Sequence, residues 1–444
     1  MNRKKIIFIV IGVILLVFVF VLTLSLKSKD TSGQQKSGGD FKIWIVGDDK
    51  EDFSAFITDF EKYYGKTINE KIESFNNWDE YNLALASAIV RGEAPDVFVL
   101  NNNEKSLFLE NIIGIDPQVI NPTDFINNYR GFLGDDLIVS IGEGKSLQKF
   151  LIGVPIGYES LGIYYNRMKG IQADDVKNWA SLNAVISKQK EKYPDVIPLG
   201  IGRGSTVNSS EDIITQFFML ENKNKLEDVS GAGLKTAIAF YSLFADNNGN
   251  NSYDTKFADM LASDKTNIDL FSRGEISMIF GYPRLLNTID EAGYRKSSLY
   301  AKPFPEHFIG GGKALVNYNY FVVNKNSTKT DLGLSLLKYM TLEEGITSYL
   351  NKFPYYLPGR ISLEDDFLEK EILDGYNIVL KDFFNEDLEL SSFDKGIKSI
   401  YDKEVVNILD NSSDYTNKFD SFRNYLICLK SKIINLENLS QDCK

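Results

Sequence analysis

The side chains best suited to chemistry in this sequence are carboxylates, amides and tyrosines set in short polar stretches. Asp48 and Asp49 follow the apolar run Lys42–Val46, and Asn101, Asn102 and Asn103 follow the apolar run Asp96–Leu100. Glu159 stands beside Tyr158, Arg203 lies between Gly202 and Gly204, Tyr282 follows Gly281, and Tyr318 precedes Asn319 and Tyr320. Sugar sites use aromatic faces against the C–H side of the ring, with carboxylates, amides and arginine on the hydroxyls. The same residues have plainer readings: Asp48 or Asp49 as a helix cap, and the asparagines as a solvated turn. Two carboxylates facing each other at about 5–10 Å would allow glycoside hydrolysis. Asp48 or Asp49 with Glu159 could supply them, but no motif marks an acid/base pair, so a binding module is expected rather than an enzyme.

Other chemistries are excluded by count. The chain has one His, His307, and two Cys, Cys428 and Cys443, too few for a His pair or a Cys/His zinc site. The two thiols are either a disulfide or free. Asp246–Asp254 superficially resembles a calcium loop, but Asn251 and Phe257 stand where Gly and Glu are required. Gly202-Arg203-Gly204 lacks the third glycine of a dinucleotide fingerprint. No metal and no cofactor are expected. The net charge of −12 disfavours a nucleic-acid partner.

The elements that must position these residues alternate along 444 residues, of which 43% are apolar. Strand Lys42–Val46, a helix carrying Phe53, Phe56, Ile57 and Phe60 and stopped by Gly65, strand Thr67–Ile72, helix Trp78–Arg91 and strand Asp96–Leu100 form a βαβαβ unit with a parallel sheet. Ligands of such sheets sit at the carboxyl ends of strands, where Asp48, Asp49 and Asn101–Asn103 fall. Further strands are expected at Leu151–Ile156, Leu161–Tyr165, Ile197–Ile201, Ser277–Phe280 and Phe321–Val323. Helices are expected at Trp179–Lys190, Glu211–Glu221, Gly233–Phe244 and Lys329–Met340, with a charged helical tail beyond about Leu363. Trp44, Trp78 and Trp179 read as structural, and Tyr355 and Tyr356 as packing.

The N-terminus carries Arg3, Lys4 and Lys5 before 21 uncharged residues, Ile6–Leu26. That length spans about 30 Å of hydrocarbon as a helix, and the flanking charges keep residues 1–5 in the cytoplasm. No Ala-x-Ala site follows, so an uncleaved anchor is favoured over a signal peptide. Residues 27–40 read as a flexible tether.

Six motifs, in order, resemble those of family 1 solute-binding proteins, the maltose-binding-like group. They are Gly92-Glu93-Ala94-Pro95-Asp96-Val97; Gly153-Val154-Pro155-Ile156 with Leu161-Gly162-Ile163-Tyr164-Tyr165-Asn166; Asn178-Trp179; Phe271 through Met278; Lys302-Pro303-Phe304-Pro305; and Leu336-Leu337-Lys338-Tyr339 with Glu344-Gly345. The resemblance implies a two-lobed α/β fold of the periplasmic-binding-protein type. Residues 41–156 and 305–340 would form lobe 1, and 157–304 and 341–444 lobe 2 with a helical extension. Crossings would lie near Gly157–Glu159, Lys302–Pro305 and Met340–Glu344. The resemblance also implies a role for Glu159, which occupies the place of a ligand-binding Glu, and for Tyr282 as a stacking aromatic. It implies an extracellular or periplasmic receptor, expected as a monomer, and the segment Ile6–Leu26 would hold it to the cell membrane. That receptor would capture a small solute, a sugar, for the permease subunits of an ABC importer. A peptide, a polyamine or another small solute is the alternative; a cationic ligand would suit an acidic cleft, and an anionic one would need Lys/Arg-rich strand-end loops, where only Arg203 stands.

Overall fold

The computed structural model describes residues 39–102, 108–141, 148–201, 206–222, 266–306, 314–384 and 388–390, with Ser421, Asn424 and Cys428. Among these residues no helix is long and apolar enough to cross a membrane. The expected anchor at Ile6–Leu26, the helix at Gly233–Phe244 and most of the tail lie outside them. Cys428 is disulfide-bonded.

The chain opens with β1 (Phe41–Val46), α1 (Lys50–Tyr64), β2 (Glu70–Phe75), α2 (Trp78–Arg91) and β3 (Val97–Asn101). Both helices follow their local signals. Asp49 and Asn77 cap the first turns, and Gly65 and Gly92 stop the last ones with φ of 74° and 70°. Strand β2 begins three residues later than expected. Its polar side chains, with only Ile72 and Phe75 buried, carry a weak strand signal. Two short helices follow, α3 (Pro122–Asn128) and α4 (Gly131–Leu137), then the hairpin β4 (Ile138–Ile141) and β5 (Gln148–Leu151).

Next come β6 (Val154–Pro155), β7 (Gly157–Ser160), β8 (Gly162–Asn166), α5 (Trp179–Lys192), α6 (Ser210–Asn222), α7 (Asn267–Ser272), β9 (Met278–Gly281), α8 (Leu285–Glu291) and β10 (Leu299–Pro303). The expected strand at Ile197–Ile201 is a single bridge between Ile197 and Ile276. Pro198 has no N–H to continue the ladder. The remaining elements are β11 (Ala314–Asn317), β12 (Asn319–Val323), α9 (Thr330–Tyr339), α10 (Glu343–Lys352), β13 (Leu357–Pro358), α11 (Glu364–Leu368) and β14 (Leu388–Leu390).

Two sheets organise these elements. The first has the order β2-β1-β3-β12-β6, with β1 parallel to β2 and β3, and β12 antiparallel to β3 and β6. The second has the order β10-β8-β9, all antiparallel. Between β6 and β8 the chain leaves the first sheet for the second through β7, and it returns through β11. These two crossing strands pair antiparallel, Val316 with Ser160 and Asn317 with Glu159.

Only the first crossing lies where expected. Lys302 and Pro303 close strand β10 of the second sheet, because their backbones pair with Ile163 and Gly162. Met340–Glu344 turns between α9 and α10 without leaving the first lobe. The apolar face of α10 explains this: Tyr349 sits edge-on to Phe53 and Phe56 of α1, and Lys352 pairs with Asp59 at 2.7 Å. Helix α10 therefore belongs with the first sheet, not with the second lobe to which residues from 341 on were assigned. The chain passes to the second lobe only beyond α10. There β13 pairs with β7, and farther on Phe383 lies 5.3 Å from the Tyr164 ring, with Lys302 bonded to Asp382 at 3.0 Å. In the second lobe Trp179 is fully buried against Phe217, Phe280 and Phe304.

Candidate functional site

A cavity of about 1700 Å³ opens where the two sheets approach the crossing strands. Gly47–Asp52 after β1, the end of β2 and Trp78 supply one wall. Glu159 on β7 and Asn317 on β11 lie at the crossing. The loop after β9, with Tyr282 and Arg284, and the start of α6 supply the opposite wall. Strand ends of both sheets thus meet in one place, as open α/β sheets require.

Arg284 is the electrostatic centre. It follows the turn Tyr282-Pro283, in which Leu285 N–H donates to the Tyr282 carbonyl at 3.0 Å. Its Nε donates to Glu159 Oε2 at 2.7 Å, its Nη2 lies 2.7 Å from the same oxygen, and its backbone N–H donates to Oε1 at 3.2 Å. Nη2 also donates to the Tyr356 hydroxyl at 2.9 Å. Nη1 lies so close to the Gly47 backbone that a Cβ there would come within 3.0 Å of it. Burial pushes the Glu159 carboxyl above its ordinary value, and Arg284 only partly pulls it back. Burial opposes the Arg284 charge as well, but Glu159 holds the guanidinium cationic.

Asp48 forms a second hub. Its Oδ1 accepts the Tyr355 hydroxyl at 2.7 Å and the Tyr356 hydroxyl at 3.4 Å, and its Oδ2 accepts the Tyr349 hydroxyl. Burial raises its carboxyl, against the pull of Arg284 and the three hydroxyls. Asn101 donates through Nδ2 to Asn317 Oδ1 at 2.7 Å and to Asn319 Oδ1 at 3.1 Å, tying the end of β3 to the return crossing. Tyr282 donates its hydroxyl to Asp212 Oδ2 at 2.9 Å. Burial and the Asp212 carboxylate push that phenol well above its ordinary value.

Of the residues singled out from sequence, Asp48, Asp49, Asn101, Glu159 and Tyr282 line the cavity. Asp49 also caps α1, accepting from Asp52 N–H at 3.0 Å. Asn102, Tyr158 and Tyr318 are not among the lining residues. Asn102 Oδ1 accepts the Tyr318 backbone N–H at 3.2 Å. Tyr318 is buried and donates its hydroxyl to Asp136. Tyr158 is fully buried, edge-on to Phe132 at 5.3 Å. The reason is strand alternation: adjacent residues of β7 face opposite ways, so Glu159 and Tyr158 do not share a face. Arg203 lies outside the described residues. Sequence reasoning missed Arg284, although it stands two residues past the Tyr282 that was singled out. It also read Tyr355 and Trp78, both on the wall, as packing or structural only.

Comparison with known proteins places this architecture. No curated protein matches the sequence. Among solved structures, the chain is similar to an ABC substrate-binding protein from Listeria monocytogenes in complex with cycloalternan. The TM-score is 0.68 at 15% identity, over 90% of this chain and 99% of that one. An ABC transporter solute-binding protein from Thermotoga lettingae TMO bound with alpha-D-tagatose gives 0.64 at 15% identity, over 89% and 99%. A maltodextrin-binding protein from L. casei BL23 without ligand gives 0.61 at 17% identity, over 87% and 98%. At these identities the likeness establishes the two-lobed α/β solute-binding fold. Residues 55–372 match a protein family directly, and with that match the chain belongs to the bacterial extracellular solute-binding proteins.

Proposed function

We propose that the protein is a receptor that captures a carbohydrate between its lobes and delivers it to the permease of an ABC importer, held at the membrane by the segment Ile6–Leu26. The cavity is the observation that carries this reading. At about 1700 Å³ it exceeds the roughly 300–1,000 Å³ usual for drug-sized ligands, so an oligosaccharide suits it better than a single ring. Its wall combines amide and carboxylate groups for hydroxyls with Trp78 and Tyr355 for ring faces. Two similar structures contain sugars, cycloalternan and tagatose. A binding role agrees with the family and with the state of the carboxylates. Both oxygens of Asp48 and both of Glu159 are engaged by groups of the protein itself, which leaves no free acid/base pair in them.

One observation favours a second reading, a cationic solute. Among the described residues of the cavity wall acidic side chains outnumber basic ones ten to three, and a cleft lined by one sign of charge concentrates ligands of the other. A thermal-shift screen against oligosaccharides, monosaccharides, polyamines and short peptides separates the two. A ligand at one hundred times its dissociation constant stabilises the folded state by about 2.7 kcal/mol. Stabilisation by an oligosaccharide, weakened in Trp78→Ala, is the expected result. Stabilisation by polyamines or peptides alone would replace the carbohydrate reading with the cationic one.

A further inference from the structure

Arg284 has a geometry that solute binding alone does not call for. It stands on the second-lobe loop after β9, yet none of its described partners does. Glu159 lies on crossing strand β7, Tyr356 lies beside β13, and Gly47 opens the loop after β1 of the first sheet. One guanidinium therefore touches the second lobe, the crossing and the first lobe together. The fork is used fully: Nε and Nη2 on Glu159, Nη2 also on Tyr356, and Nη1 against Gly47. Tyr356 extends the connection, since its hydroxyl donates to Asp48 at 3.4 Å and accepts from Asn319 at 3.4 Å. The Glu159 side chain is 2% exposed, whereas that of Arg284 is 29% exposed and lines the cavity.

We propose that Arg284 is an interlobe latch: Glu159, three residues before the Gly162–Gly281 pairing, holds the guanidinium in place, and its contacts with Tyr356 and the Gly47 loop form only with the lobes together, and so set the ratio of closed to open molecules. Ligand affinity then scales with the closed fraction, because a ligand that binds the closed form sees only the molecules already in it. Lysine cannot replace the latch fully, since a single ammonium lacks the planar fork that engages Glu159 and Tyr356 at once. The inference rests on the two-lobed fold and not on the identity of the solute.

The test needs no ligand. Leu83, 76% exposed on α2, and Met168, 61% exposed just after β8, mark the two lobes. Substituted with cysteine, they accept a dye pair for single-molecule energy transfer, and the disulfide-bonded Cys428 does not compete. In the full chain, Arg284→Met is expected to lower the closed-to-open ratio about tenfold, in the middle of the range for contacting, coupled residues. Glu159→Gln should lower it similarly, Arg284→Lys should fall in between, and Arg284→Met with Glu159→Gln should lose little more than either alone. An unchanged ratio in Arg284→Met, or losses that simply add, would overturn the latch. If the Met variant does not fold, a wild-type ratio in Arg284→Lys overturns it equally. A sugar screen without any hit would leave these outcomes untouched, so the two proposals fail separately.

Discussion

Asp48→Ala tests whether the first-lobe carboxylate is an anchor for the chain or a free ligand contact. Three hydroxyls donate to Asp48, and two of the bonds are short: those from Tyr349 and from Tyr355. The third, from Tyr356, is long at 3.4 Å. Hydrogen bonds to a charged group contribute about 1.5–3 kcal/mol each, so two good ones give roughly 3–6 kcal/mol gross. The raised carboxyl shows that burial opposes the charge, and its removal returns part of that sum. The orphaned donors are unequal. Tyr355 lines the cavity, where water can replace Asp48, whereas Tyr349 is not on the wall. A net loss of about 3 kcal/mol follows for Asp48→Ala, and of about 1–2 kcal/mol for Tyr349→Phe. Adding Tyr349→Phe to Asp48→Ala should cost almost nothing, or restore some stability, because it deletes the stranded hydroxyl. The assay is urea unfolding, read as a change of midpoint at constant slope. An unaltered midpoint in Asp48→Ala, or strictly additive losses in the pair, would refute the anchor and return the carboxylate to the ligand.

Two further outcomes follow from the geometry. Gly345→Ala would gain about 1 kcal/mol of helix propensity in α10, but its Cβ would stand 2.1 Å from the Tyr339 carbonyl oxygen. Overpacking of that degree costs about 1–3 kcal/mol or more, so the urea midpoint should fall; a rise would show that the α9–α10 turn yields. Burial raises both Asp48 and Glu159, so the folded chain holds more protons than the unfolded one above the usual carboxylate range. Stability should therefore rise as pH falls from 7 toward 5 and level off below the unfolded values near pH 4. Lys352 and Lys62 hold Asp59 low, so its contribution is present above the unfolded value and is lost only as pH falls below it. Urea midpoints across pH 5–7 should climb on acidification in the wild type and more gently in Glu159→Gln. An equal slope in both would remove Glu159 as a source.

Local elements were legible where one segment carries its own instructions. The limits of α2 follow from Asn77, the Tyr81–Leu85–Ala88 stripe and Gly92, and the structure reproduces them to the residue. Elements stabilised mainly by distant partners were not. Strand β11 has no local mark beyond four residues, and it exists because β7 and β14 pair with it from 157–160 and 388–390. Helix α10 is not among the expected helices, and nothing local marks it as a first-lobe helix. Its destination depends on Phe53, Phe56 and Asp59, nearly 300 positions earlier. Residues 340–342 join α9 to α10 instead of crossing for the same reason.

The site divides along a similar line. Residue type and strand-end position located Asp48, Asn101, Glu159 and Tyr282 on one wall or another of the cavity, because the end of a parallel strand is a place that sequence alone can name. What each does there depends on partners supplied by the other lobe and by the segment after α10. Glu159 looks like a ligand-binding carboxylate until Arg284 takes both its oxygens, and Asp48 looks like one until three tyrosines do the same. The most buried carboxylates thus hold the lobes and the crossing together. Asp49, Trp78, Asn101 and Tyr355 also line the cavity. Period two along β7 already implied that Tyr158 and Glu159 could not both face the solute. Only the folded chain shows that Glu159 faces the cleft and spends its charge there on Arg284.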